Sequence, residues 1–274
     1  MRKLIPLAAI ALTLVACGGT ESKSDVGGTA PAPAKPKTNA VDLRGGEYAF
    51  LMPDTIEGGW TTFEFTNTGA EPHEFALAKL GAGKTIADVN ALLADPAAQE
   101  QPPPDWVQIR AGIPTLDADE KGSLAQKLEP GRYVLLCFLA DPEGVSHIER
   151  GMVREFAVEG NAGAPAPTAD ATLSLGPGLT APKLEAGTRT LELRNDGDEP
   201  GSLFLTAFEP GKTEEDLTRW EENGMRGPAP ATFLGGAIDV PPHSSVFYTV
   251  TFDQGREYTL LDDVNDLQLK FIPT

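Results

Sequence analysis

Cysteine and histidine are scarce in this chain, with two of the first and three of the second in 274 residues. Two cysteines cannot build the disulfide framework of a small secreted scaffold. Basic residues are also short: 22 Lys and Arg stand against 40 Asp and Glu, a net charge of −18. A surface of that sign repels nucleic acid and anionic lipid, so no nucleic-acid partner is expected. No apolar run is long enough for a spanning helix, which needs about 20 residues. "GAGKT" at 81–85 lacks the full G-x-x-x-x-G-K-[ST] spacing of a phosphate-binding loop. Paired catalytic carboxylates and zinc-type spacings are missing as well. Cys137 and His147 as a nucleophile and its base would lack a third, orienting group. No enzyme is expected.

What is present begins with "MRKLIPLAAIALTLVAC", where Arg2 and Lys3 precede an apolar run from Leu4 to Ala16, the pattern of a secretory signal. The closing "LVAC" resembles the lipobox of bacterial lipoproteins, which implies that residues 1–16 are removed and that Cys17 is lipidated. The chain would then sit on the outer side of a bacterial membrane, in the cell envelope, held by that anchor. Residues 17–40 contain no aromatic residue and read as a disordered tether. Such a tether spans on the order of 25 Å. Without Arg2 and Lys3 the balance is 20 basic to 40 acidic residues. With Cys17 modified, Cys137 has no disulfide partner in an oxidising compartment, and a thiol so placed is buried, ligated or reactive.

The remainder divides into two similar segments. "EPHEFALAKLGAGKTIADVNALLAD" (71–95) lies without a gap against "EPGSLFLTAFEPGKTEEDLTRWEEN" (199–223). Upstream, "GGWTTFEFTNTG" parallels "AGTRTLELRNDG"; downstream, "PGRYVLLC" parallels "QGREYTLLD". Self-similarity of this extent indicates duplication. The boundaries fall at 41–160 and 171–274, with the Gly/Ala/Pro stretch 161–170 as linker. Period-two alternation around Phe63 and Phe65, and around Leu191 and Leu193, predicts short strands in antiparallel sandwiches, one per segment. Each has one helical insert, opened by Thr85 with Asp88 three positions on, or by Thr213. The fold class expected is all-β, with two such domains in tandem, and the second half is expected to fold alone.

Two of the three histidines lie in the first segment in a definite relation to the remaining thiol. His73 follows Pro72 at the head of a strand, Cys137 ends the strand "YVLLC", His147 comes ten positions later and Met152 five beyond that. Each residue has a plainer reading. Cys137 and Met152 suit an apolar core, His147 an acidic surface loop, and His73 a turn. Their order resembles the type 1 copper site of the cupredoxins, the plastocyanin and azurin superfamily. That resemblance implies Greek-key sandwiches, one type 1 copper, and His73, Cys137, His147 and Met152 as its ligands. Two imidazoles and a thiolate bind copper in both oxidation states, and a weak axial thioether tunes it.

Two features depart from the small electron carriers. The C-x9-H spacing is long, and Glu74 stands where plastocyanin-like domains have asparagine. The second segment has Gly201 in place of the first histidine and Asp262 in place of the cysteine. His243 lies in a turn, "VPPHSSV", outside the pattern. The function implied is a membrane-tethered copper protein that carries electrons, with a redox protein as partner, or that handles extracytoplasmic copper. The alternative is a metal-free interaction module on the cell envelope.

Overall fold

The computed structural model describes residues 39–99, 101–161, 164–175, 178–223, 227–262 and 267–274. The signal segment, Cys17 and most of the tether lie outside the described residues. In the first half the elements are β1 (Asn39–Gly46), β2 (Ala49–Leu51), β3 (Thr55–Glu57), β4 (Gly59–Asn67), β5 (His73–Leu80), α1 (Ile86–Leu93), α2 (Pro96–Gln99), β6 (Val107–Leu116), β7 (Lys121–Leu128), β8 (Gly131–Leu136) and β9 (Val153–Glu159). The second half contributes β10 (Ala171–Leu175), β11 (Gly187–Asn195), β12 (Gly201–Phe208), α3 (Glu214–Glu222), β13 (Ala231–Val240), β14 (Ser244–Phe252), β15 (Tyr258–Asp262) and β16 (Leu267–Phe271). Strand β1 starts at Asn39, two residues inside the expected tether, because Asn39 and Ala40 pair with Thr61 and Thr62.

Alternation builds the strands as expected. In β4, Thr61, Phe63, Phe65 and Asn67 face inward while Glu64 is exposed, and in β11 Leu191 and Leu193 are buried while Arg194 is exposed. One face of each strand therefore supplies core. Phe63 and Phe65 of one sheet meet Phe75 of the other with ring centroids 5.5 and 5.4 Å apart. Each fully buried phenylalanine contributes roughly 1.5–3 kcal/mol.

The two halves are not separate sandwiches in tandem. Their strands join into two sheets, ordered β10-β11-β14-β7-β4-β1-β2 and β16-β15-β12-β13-β6-β5-β8-β9-β3. The joints are β7 on β14 (Leu124↔Tyr248) and β6 on β13 (Leu116↔Leu234), both antiparallel. A single buried cluster runs from Val41 and Phe63 through Ile113 and Leu124 to Leu203, Tyr248 and Leu260. The physical reason is edge pairing: left alone, β6, β7, β13 and β14 would each present unpaired backbone groups, and joining removes those edges.

The helix starts are as the sequence indicated. The Thr85 and Thr213 amides donate to Asp88 Oδ2 and Asp216 Oδ2 at 3.0 and 3.1 Å. "GAGKT" is thus the approach to α1, whose Val89 packs with Ala76, Ala78, Leu80, Val134 and Leu136 on the outer face of β5 and β8.

Candidate metal centre

His73 opens β5, where it pairs with Leu116 of β6. It is brought there by an asparagine turn. Asn67 Nδ2 donates to the carbonyls of Glu71 (2.8 Å) and Leu116 (3.0 Å), and the Gly69 amide donates to Asn67 Oδ1 (2.9 Å). One buried amide thus ties the turn before His73 to the neighbouring strand. Just beyond, β5 and β6 shift register between His73 and Phe75. Gly112 sits at this irregularity, where a Cβ would lie 1.9 Å from the Phe75 carbonyl oxygen.

Cys137 follows β8, whose last pairing, Ala76↔Leu136, sets it beside β5. The segment from Cys137 to Met152 closes on itself: the Cys137 amide donates to the Met152 carbonyl (3.3 Å), and the Met152 amide to the His147 carbonyl (2.8 Å). The extra length of the C-x9-H spacing is taken up by a turn. Buried Asp141 accepts from the Val145 amide at 2.8 Å and from Arg150 Nε at 2.8 Å, while the His147 amide donates to the Leu139 carbonyl at 2.8 Å. Paired in this way, the Asp141 carboxyl stays below its ordinary pKa despite its desolvation.

The result is a closed cluster. His73, Cys137, His147 and Met152 are 1%, 0%, 1% and 0% exposed. His147 Nδ1 lies 3.2 Å from His73 Nδ1 and 3.3 Å from Cys137 Sγ. The three ligand atoms all lie within 4.8 Å of one another. Such separations suit donors that share one ion at about 2.0–2.3 Å. The Met152 side chain is buried as well, with its methyl 3.2 Å from where a Cβ on Gly45 would stand. Burial governs the charge of the metal-free cluster. It lowers His73 to about 4, helped by His147, lowers His147 against the pull of Glu71, and pushes the Cys137 thiol up to about 12. Without a cation the cluster is two neutral imidazoles and a thiol. A bound cation would displace the Cys137 thiol proton and take imidazole lone pairs.

Glu74 reaches the loop that follows Cys137. Its Oε1 accepts from the Phe138 amide at 3.1 Å, bracing the residue next to Cys137, and burial raises its carboxyl to about 7. Sequence reasoning missed two contributors. Glu71 Oε2 lies 3.1 Å from His147 Nε2, and Tyr48 Oη lies 3.1 and 3.2 Å from the two Glu71 oxygens. The only signal for Glu71 was a carboxylate two positions before His73, and nothing in the sequence pointed to Tyr48.

The second half carries the same scaffold without these donors. Asn195 Nδ2 donates to the carbonyls of Glu199 (2.7 Å) and Val240 (2.9 Å). Gly201 pairs with Val240, as His73 does with Leu116, and Phe204 with Leu261, as Ala76 does with Leu136. Asp262 therefore stands one residue past Leu261, as Cys137 stands past Leu136. His243 is on the surface beside Asp198, 3.2 Å away. Cys17 lies outside the described residues.

No protein-family model and no curated protein matches the chain. Among solved structures it is similar to the dithionite-reduced auracyanin of the photosynthetic bacterium Roseiflexus castenholzii, at 25% identity over 44% of this chain and 98% of that one, with a TM-score of 0.31. It is similar to auracyanin A of Chloroflexus aurantiacus, described as a blue copper protein, at 25% identity over 44% and 98%, with a TM-score of 0.30. The azurin of Methylomonas sp. strain J is similar at 17% identity over 46% and 99%, with a TM-score of 0.29.

Proposed function

We propose that this chain is a cupredoxin-like copper protein of the bacterial cell envelope, anchored through a lipid on Cys17, that carries single electrons to and from a redox protein. In this reading His73, Cys137, His147 and Met152 hold one type 1 copper in the first half, and the second half is a duplicated domain that has lost its ligands. The observation that carries the proposal is the convergence of two imidazole nitrogens and a thiol sulfur in a buried cluster, from residues far apart in sequence.

The donor set separates copper from its competitors. Thiolate, imidazole and thioether are soft to borderline ligands, and a methionine among the ligands suits copper in both states better than it suits zinc or a hard cation. Bound copper would supply one-electron chemistry. The chain does the rest. Strand β5 fixes His73, the closed loop fixes Cys137, His147 and Met152, and Glu74 braces the loop, so the ligands have little freedom to rearrange on electron transfer. Burial of all four keeps water out of the centre. Storage or delivery of copper calls for clustered methionines or histidines, and this sequence has none.

The test is addition of Cu(II) to the reduced, folded protein. An intense thiolate-to-copper charge-transfer band is expected, and it should vanish in Cys137→Ser because the other cysteine is the proposed lipidation site. A colourless titration overturns the type 1 assignment in favour of a metal-free module. The anchor is tested separately: Cys17→Ser should release the protein from membranes, and an uncleaved wild-type chain that partitions unchanged would rule it out.

A further inference from the structure

We propose, on the copper-binding reading above, that Glu71 is a positioning residue of the centre. Held by Tyr48, its carboxylate fixes His147 as the Nε2–H tautomer, aims the Nδ1 lone pair at the metal, and favours the oxidised state of that metal.

The hydrogen bonds set the tautomer. An ionised carboxylate only accepts, so the 3.1 Å contact of Glu71 Oε2 with His147 Nε2 requires that nitrogen to carry the proton. A neutral imidazole protonated there has its lone pair on Nδ1. That atom lies 3.3 Å from Cys137 Sγ and 3.2 Å from His73 Nδ1. The carboxylate is held in its turn, because the Tyr48 hydroxyl reaches both of its oxygens at 3.1 and 3.2 Å. The same phenol ring stands edge-on to the His147 imidazole with centroids 5.1 Å apart, and the Arg150 guanidinium lies 5.8 Å over its face. Tyr48 reaches this position from a turn in which it and Glu47 take φ of +66° and +40°. Such angles are unfavourable for residues other than glycine, and they persist where the surrounding structure fixes them.

The two imidazoles are therefore unequal. His73 Nε2 is buried against the Gly69 backbone and has no hydrogen-bond partner among the described residues. His147 has an anionic one. A carboxylate on the remote N–H raises the donor strength of an imidazole ligand, and such partners typically contribute 10–100-fold to metal affinity. The extra negative charge stabilises the more highly charged oxidised metal more than the reduced one.

Two readouts on the folded protein test this. The first is the 15N shifts of the His147 ring in the metal-free protein. Wild type should show the Nε2–H tautomer, Glu71→Gln should retain it because the amide oxygen still accepts, and Glu71→Ala should lose the single tautomer. The second is affinity for Cu(II) and Cu(I), each measured by competition. Glu71→Gln should weaken Cu(II) about tenfold more than Cu(I), which is a rise in reduction potential of about 59 mV for one electron. Tyr48→Phe should shift the same ratio in the same direction by less. A wild-type His147 protonated on Nδ1, or an unchanged Cu(II)/Cu(I) ratio in Glu71→Gln, overturns the proposal. A wild-type protein with the Nε2–H tautomer that binds no copper instead sinks the copper reading, and the two failures are thereby distinguished.

Discussion

His73 and His147 are buried as neutral imidazoles in the metal-free protein, and that sets its behaviour in acid. The His73 value falls from 6.5 to about 4 because burial penalises the cation, and His147 is lowered for the same first reason. Both folded values lie below the unfolded ones, so the unfolded chain binds more protons in the window between them. The stability they contribute is fully present above about pH 6.5 and is lost as pH falls toward 4. Glu74, raised to about 7, acts in the opposite direction over the same window, so denaturant titrations of metal-free protein should show the histidine decline as the difference between wild type and a double replacement of both histidines by apolar residues, at most roughly tenfold in the unfolding equilibrium per pH unit from His73. A pH dependence in the double variant equal to that of wild type would refute the assignment. For the metal-bound protein, Met152→Leu should keep the charge-transfer band and change the reduction potential, because a weakly held thioether would tune the metal more than it would hold it. Loss of copper in that variant would give Met152 a stronger role than proposed.

Among the elements, the β5–β6 pair carries the most constraint on the centre. The register shift beside His73 brings the Phe75 carbonyl against Gly112, and in the second half the Leu203 carbonyl comes against Gly236 in the same manner, with a Cβ there 2.0 Å away. Gly112→Ala should cost on the order of 3 kcal/mol by forcing the strands apart, and it should weaken copper binding because His73 lies at the start of the displaced strand. Gly178→Ala, where nothing lies within 4 Å, is the matched control and should be nearly neutral. Thermal unfolding of the two variants checks the contrast, and equal melting temperatures would mean that the strands accommodate the methyl group without cost.

For the whole molecule, the shared sheets bear on stoichiometry and on independence of the halves. One copper per chain is expected by native mass spectrometry, since Gly201 and Asp262 stand at the positions of His73 and Cys137. Two tight coppers would show that the correspondence does not govern binding. Residues 171–274 expressed alone should not remain a soluble monomer, because cutting the chain exposes the β13 and β14 edges and the apolar surface around Tyr248 and Leu234. A well-dispersed monomeric spectrum from that fragment would show that the joint contributes little.

Local chemistry was legible in the sequence because it is written at short range. Alternation around Phe63 and Leu191 gave strands, Thr85 and Thr213 gave helix starts, and the order of His73, Cys137 and His147 gave three side chains that the fold brings together. The turn that absorbs the long C-x9-H spacing was not legible, since it depends on Asp141 being buried against Arg150. The role of Glu74 depends on which amide it faces, and that of Glu71 on a tyrosine from another turn. The joining of two similar segments into common sheets was hidden for the same reason. Edge strands carry the same alternating pattern whether their free backbone groups meet water or another strand, so only the tertiary structure decides which edges pair.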